Sequence, residues 1–221
     1  GASAIVLDIL YERLTDDESD HALASAIQEA GNVFLPEYSL QIRTTADVDD
    51  HGVYRGRLER SHPLVREHAA GTGHINVLVD PDGIVRRIPA RIGSPDGTSQ
   101  QLPVGIGAVL LAMGVPRPDV VVTGNELKAG PLVIPLDDHA CIPINYLDFD
   151  REVYIRPPFA PDWVDAEGRR KPILVCSYQE AMGLPPTPGD DRPSVDFQNK
   201  VVVVAGPVQG SDADVHSTPF A

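Results

Sequence analysis

The amino-acid sequence predicts a mixed α/β fold: a largely parallel central sheet with flanking helices and inserted antiparallel hairpins. Three observations predict it. A strand–helix–strand pattern fills residues 4–36, a hairpin turn falls at Asp80-Pro81-Asp82-Gly83, and a second buried-strand run occupies residues 200–206.

Residues 4–10 are apolar except for Asp8, as in a strand covered on both faces. Residues 15–20 then supply capping side chains and negative charge suited to a helix start. Residues 21–30 place Ala22, Leu23, Ala26, Ile27 and Ala30 at helical spacing, and Gly31 is a natural stop. Residues 32–36 are extended again, which makes a βαβ unit, parallel and right-handed. Residues 41–62 are polar and without period, so they read as a loop or insertion, and residues 63–70 suit a short helix. The hairpin joins residues 74–79 to 84–91, because proline followed by Asp-Gly favours a tight reversal.

An apolar helix is expected at 102–113, and a second antiparallel pair at 128–135 and 140–147 around Asp137-Asp138-His139. Residues 150–172 are proline-rich and charged and read as a long surface loop. Residues 173–176 read as a strand, and Ser177 as the cap of a helix over 178–183. Residues 200–206 complete the sheet.

The length of 221 residues suits a single domain, and 42% hydrophobic residues are enough to build a core. Acids outnumber bases 32 to 18, for a net charge of −14. That balance argues against nucleic acid and against an anionic membrane surface as partners. The short basic groups Arg55-Gly56-Arg57, Arg86-Arg87 and Arg169-Arg170-Lys171 are too small to reverse the field. No apolar run approaches the ~20 residues of a membrane span. Cys141 and Cys176 both lie in apolar stretches and read as buried thiols, with a disulfide between them left open.

Reactive constellations are sparse. There is no Gly-x-Ser-x-Gly elbow, and Gly206-Pro207-Val208-Gln209-Gly210-Ser211 lacks the lysine of a phosphate loop. Asp212, Asp214 and His216 alternate along one segment, which would turn three metal-ligand types to one face of an extended chain. The plainer reading is a polar loop. Asp8 is an acid in an apolar strand, so it must be partnered or sit at the strand's carboxyl end, where open α/β sheets bind ligands.

Several stretches together resemble the CHASE domain, type two, an extracytoplasmic sensor module of bacterial receptors. Ile5-Val6-Leu7-Asp8-Ile9-Leu10 and the acidic Asp16-Asp17-Glu18-Ser19-Asp20 look like its opening. Residues 73–89, which read Gly-His-Ile-Asn-Val at one end and Arg-Arg-Ile-Pro at the other, are similar to its most specific signature. Ile144-Asn145-Tyr146, residues 200–206 and Asp214-Val215-His216-Ser217-Thr218-Pro219 resemble later parts, while the loop at 150–172 is longer and more charged than the family pattern implies and 41–60 match nothing in it.

The resemblance implies a domain outside the membrane feeding a cyclase, histidine kinase, protein kinase or phosphodiesterase, with membrane helices on either side of this stretch. The ends, Gly1-Ala2-Ser3 and Thr218-Pro219-Phe220-Ala221, agree with excision from such a longer protein. The family has no generally known ligand, so the resemblance supplies no catalytic residues, and the cofactor is left open. Asp8, His74, Asn76, Arg86 and Arg87 are the candidate ligand contacts, and Asp212, Asp214 and His216 the candidate metal ligands. A small molecule or physical cue is the expected signal and a homodimer the expected assembly. Two other readings stand beside it: a metal-assisted hydrolase using Asp8, Asp212, Asp214 and His216, and a module that only dimerises.

Overall fold

The computed structural model describes residues 1–116, 120–123, 125–144, 159–164, 170–174 and 197–205. The chain divides into two compact units, 1–145 with 198–221, and 146–197. The first runs β1 (Ala4–Asp8), α1 (Asp17–Ala30), β2 (Val33–Tyr38), β3 (Tyr54–Arg55), β4 (Glu59–Arg60), α2 (Pro63–Arg66) and β5 (Gly71–His74). It continues with β6 (Leu78–Val79), β7 (Val85–Pro89), β8 (Ile92–Gly93), β9 (Gln100–Gln101) and α3 (Val104–Ala112). Next come β10 (Val120–Thr123), β11 (Glu126–Ala129), β12 (Leu132–Pro135) and β13 (Cys141–Pro143). The second unit holds the antiparallel hairpin β14 (Phe159–Val164) and β15 (Arg170–Leu174), and β16 (Val201–Ala205) belongs to the first unit again.

The main sheet has the order β16-β1-β2-β4, with β5 also on β2. Strands β16, β1, β2 and β5 are parallel, and only β4 runs against them. Period-two alternation sorts its side chains into two cores. Ala4, Val6 and Phe34 pack with Ala108 of α3, while Ile5, Leu7, Val33 and Leu35 pack with Ile27 of α1 and Val65 of α2. The expected α/β class, largely parallel with inserted antiparallel strands, is therefore what the chain adopts.

Helix α1 starts earlier than its apolar period suggests, because the acidic segment is wound into it. The Asp16 carboxylate accepts the Ser19 N–H at 2.9 Å, and Asp20 accepts those of Thr15 and Asp16 at 2.7 and 3.1 Å. These bonds satisfy amides that a helix start otherwise leaves open. The helix ends at Gly31, whose φ of 65° lets its N–H reach the Ile27 carbonyl.

Four expectations are corrected. The stretch 41–62 is not all loop: it contains a 3-10 turn, Thr45–Asp47, and the short strands β3 and β4. The first arm of the hairpin is split, since β5 joins β2 in the main sheet and only β6 pairs with β7, through a register shift. The split follows from Asn76, which exchanges two hydrogen bonds with the Ser39 backbone (2.8 and 2.7 Å) and so breaks the run of ladder pairing. The second antiparallel pair is different as well: β11 turns back on β12 at Gly130-Pro131, in a meander with β10, and β13 pairs with β7 instead. Last, 150–172 contains β14 and the start of β15, so it is not simply loop.

Helix α3 is apolar on every side, as a helix buried between two layers must be. Ala108 faces the main sheet, while Leu110 joins Leu102, Leu127, Ala129 and Leu136 in a further core under the meander. Its start rests on β5. A Cβ on Gly73 would lie 2.5 Å from the Val104 Cα, so only glycine allows this approach. Among the described residues no helix is long and apolar enough to cross a membrane.

Candidate functional site

The signature arginines are held by acids of this same chain. Arg86 reaches Asp80 at 2.9 Å and Asp82 at 2.8 Å. Arg87 lies between Asp80, with Nε 3.2 Å from Oδ1, and Asp137, with Nη1 2.8 Å from Oδ2. The Nε contact is poorly aligned for a hydrogen bond, so the bond to Asp137 is the stronger anchor. The other oxygen of Asp137 accepts the N–H groups of His139 and Cys141, both at 2.9 Å. Arg87 thus ties β7 to the turn that leads into β13. Gly83 closes the turn between β6 and β7 with its N–H on the Asp80 carbonyl at 2.8 Å. Both arginines act as struts.

The remaining predicted contacts are dispersed. Asp8 ends β1 at its carboxyl end and is exposed. Asn76 is spent on Ser39. His74 is 1% exposed in β5, opposite Glu37 of β2, whose carboxylate is held by Arg60 at 3.2 Å. Neither ring nitrogen of His74 makes a well-formed hydrogen bond. Burial pulls its pKa down to about 3, against a weak opposing pull from the Pro89 carbonyl. His74 is therefore neutral at physiological pH and closed to any ligand that stays at the surface.

Asp212, Asp214, His216 and Cys176, with the expected helix at 178–183, lie outside the described residues. Among the described residues no three His, Cys, Asp or Glu side chains are grouped to hold a metal. Cys141 is a free, buried thiol, 3.1 Å from the Tyr54 hydroxyl, and burial pushes its pKa up to about 11. A thiol so protonated is a poor nucleophile.

Two concavities are lined by described residues. One, of about 570 Å³, lies between the loop at 48–52 and the turn at 137–140, and is acidic: Asp49, Asp50, Asp137 and Asp138 line it. Two of these already have partners, because Asp49 holds Arg55 at 2.7 Å and Asp137 holds Arg87. The other, of about 200 Å³, is lined by Arg91, Gln100, Gln101, Leu102, Val120 and Val122. Its described lining has one cation, two amides and an aliphatic wall.

Arg91 follows β7 directly. It gives one N–H to the His51 carbonyl at 2.7 Å, but its buried Nε has no hydrogen-bond partner, and no described carboxylate lies within ion-pair distance. Burial draws its pKa down, Asp49 opposes that from a distance, and Arg55 adds to it. None of the predicted site residues lines this cleft. Sequence reading missed it because its lining comes from three separate stretches. No sequence motif marks Arg91.

Sheet, helices and meander together define a layered, mixed α/β domain whose signature arginines are structural. The chain belongs to the CHASE2 domain family, whose model matches residues 1–221, and CHASE2 is a family of sensor domains of signalling receptors. No curated protein and no solved structure matches the chain.

Proposed function

We propose that this chain is the sensing part of a membrane-bound signalling receptor, held on the extracytoplasmic side. It would act on a cytoplasmic cyclase, histidine kinase, protein kinase or phosphodiesterase. The observation that carries this reading is the match to a sensor family over the whole chain, 1–221. The structure supports it in one respect. The most family-like stretch, Gly73 to Pro89, is committed to packing and ion pairs within the domain, as suits a module that keeps a shape and transmits it. In this reading the domain itself turns nothing over, and it works as a homodimer carried by membrane helices beyond this stretch. Ligand binding to one of two arrangements would shift the population, and the helices would relay the shift.

The test uses the full-length protein in intact cells stripped of their outer barriers. A protease added outside should digest this domain while the output domain survives. Deleting residues 1–221 should leave an output that no longer responds to any stimulus. Protection of the domain until the cells are lysed would contradict the reading.

A further inference from the structure

We infer that acid is a cue this domain registers, through a proton that His74 takes up only when the seam between β5 and the end of β7 opens; this rests on the sensor reading and names its signal. His74 stands where three parts of the domain meet. Its backbone N–H donates to the Leu102 carbonyl at 2.9 Å, in a bridge with Pro103, the residue before α3. Within the main sheet it is in register with Glu37 of β2, and the Pro89 carbonyl at the end of β7 acts on its ring. His74 is 1% exposed, and neither ring nitrogen makes a well-formed hydrogen bond.

That setting is poor for a cation. A protonated imidazole donates from both nitrogens and, when buried, needs acceptors or a counter-charge. The charged and titratable groups described on the neighbouring elements are engaged elsewhere. Glu37 of β2 is paired with Arg60 of β4 at 3.2 Å, and Tyr38 beside it lies with Glu12 and Glu59. On β7, Arg86 holds Asp80 and Asp82, and Arg87 holds Asp80 and Asp137. Arg91, just past β7, donates to the His51 carbonyl at 2.7 Å. Strand β9 and helix α3 carry no titratable side chain, and β5 has none besides His74. The closed seam therefore keeps the ring neutral, with burial as the main cause.

Folded proteins open locally at a lower cost than they unfold. In an opened seam water reaches the ring, which then titrates near its ordinary value of about 6.5. Below that value each pH unit raises the ratio of open to closed about tenfold, until the closed form itself takes up the proton. Acid thus favours the open arrangement and neutral pH the closed one. Leu102 and Pro103 lead into α3, which joins the main sheet through Ala108 and the meander core through Leu110. An opened seam frees the run that positions this helix, which gives a receptor two arrangements to relay.

Native-state hydrogen exchange on the 221-residue chain at pH 7 and pH 5, corrected for the intrinsic effect of pH on exchange, tests the inference. The amides of His74 and Ile75 are bonded to the Leu102 and Glu37 carbonyls and report on the seam. Their protection should fall about 20-fold from pH 7 to pH 5, while that of α1 changes by less than about threefold. His74→Leu should keep the same two positions protected at both pH values, and His74→Phe, which retains a planar ring, should do so as well. If neither variant folds, the wild-type profile decides, since the fall must begin near pH 6.5 and approach tenfold per unit below it. Unchanged protection at the seam, an equal fall in the folded variants, or an equal fall in α1 would each overturn the inference. These outcomes are separate from the receptor test. A domain outside the membrane that governs output while its seam stays closed at pH 5 defeats the inference alone. A domain facing the cytoplasm defeats the sensor reading even where acid opens the seam.

Discussion

Urea unfolding at about pH 7 and again at about pH 4.5 should cost the wild-type protein about 2–3 kcal/mol more stability than it costs His74→Leu. The sign follows from proton uptake. In the folded chain the His74 pKa is depressed to about 3, while in the unfolded chain the ring titrates near its ordinary value of about 6.5. Between those values the unfolded state binds the extra proton, so stability falls as pH falls through that window and levels off below its lower edge. Each pH unit within it is worth about 1.4 kcal/mol. Other acid-sensitive groups contribute to both proteins alike, so the difference isolates His74. Leucine also removes two ring nitrogens that lack good hydrogen bonds, so the variant should be no less stable than wild type at neutral pH. Equal losses in the two proteins would mean that the ring is already protonated or is reached by water in the folded state.

Arg87→Leu should destabilise the fold by about 2–4 kcal/mol, and its neighbour Arg86→Leu by clearly less. The two side chains are adjacent in sequence and both contact Asp80, so the contrast depends on burial and on what each links. Arg87 is 25% exposed and bridges Asp80, 12% exposed, to Asp137, 24% exposed. Its loss leaves the Asp137 carboxylate with backbone donors only, at the turn that positions β13 against β7. Arg86 is 37% exposed and its second partner, Asp82, is 53% exposed, so solvent screens that pair and largely replaces it. Denaturant midpoints with unchanged slopes would measure both values. Comparable losses in the two variants would show that solvent reaches Arg87 far more freely than its burial indicates.

Local patterns made the βαβ unit legible. Helix α1 has its stop glycine and its acidic cap next to it in sequence, and β1 and β2 show the continuous apolar runs of doubly covered strands. Strand partners were less legible wherever two apolar runs competed for a place. The runs at 126–129 and 132–135 lie either side of Gly130-Pro131 and fold on each other, which frees β13 to pair with β7 across the domain. Nothing in the spacing of 128–147 distinguishes that from the simpler pair expected there.

Functional residues posed a harder problem. The stretch from Gly73 to Pro89 advertises its histidine, asparagine and arginines, but each is already placed within the domain: His74 in the core, Asn76 on Ser39, Arg86 and Arg87 on aspartates. Sequence shows residue types and does not show which of them already have partners. Arg91 shows the opposite case, a residue no motif marks and whose unsatisfied Nε only the three-dimensional arrangement reveals.

The most direct test of this account, that Arg87 ties β7 to the turn before β13, is a double-mutant cycle on Arg87 and Asp137 followed by urea unfolding. The account predicts a coupling of about 0.5–3 kcal/mol between Arg87→Leu and Asp137→Asn. Strictly additive losses would contradict it.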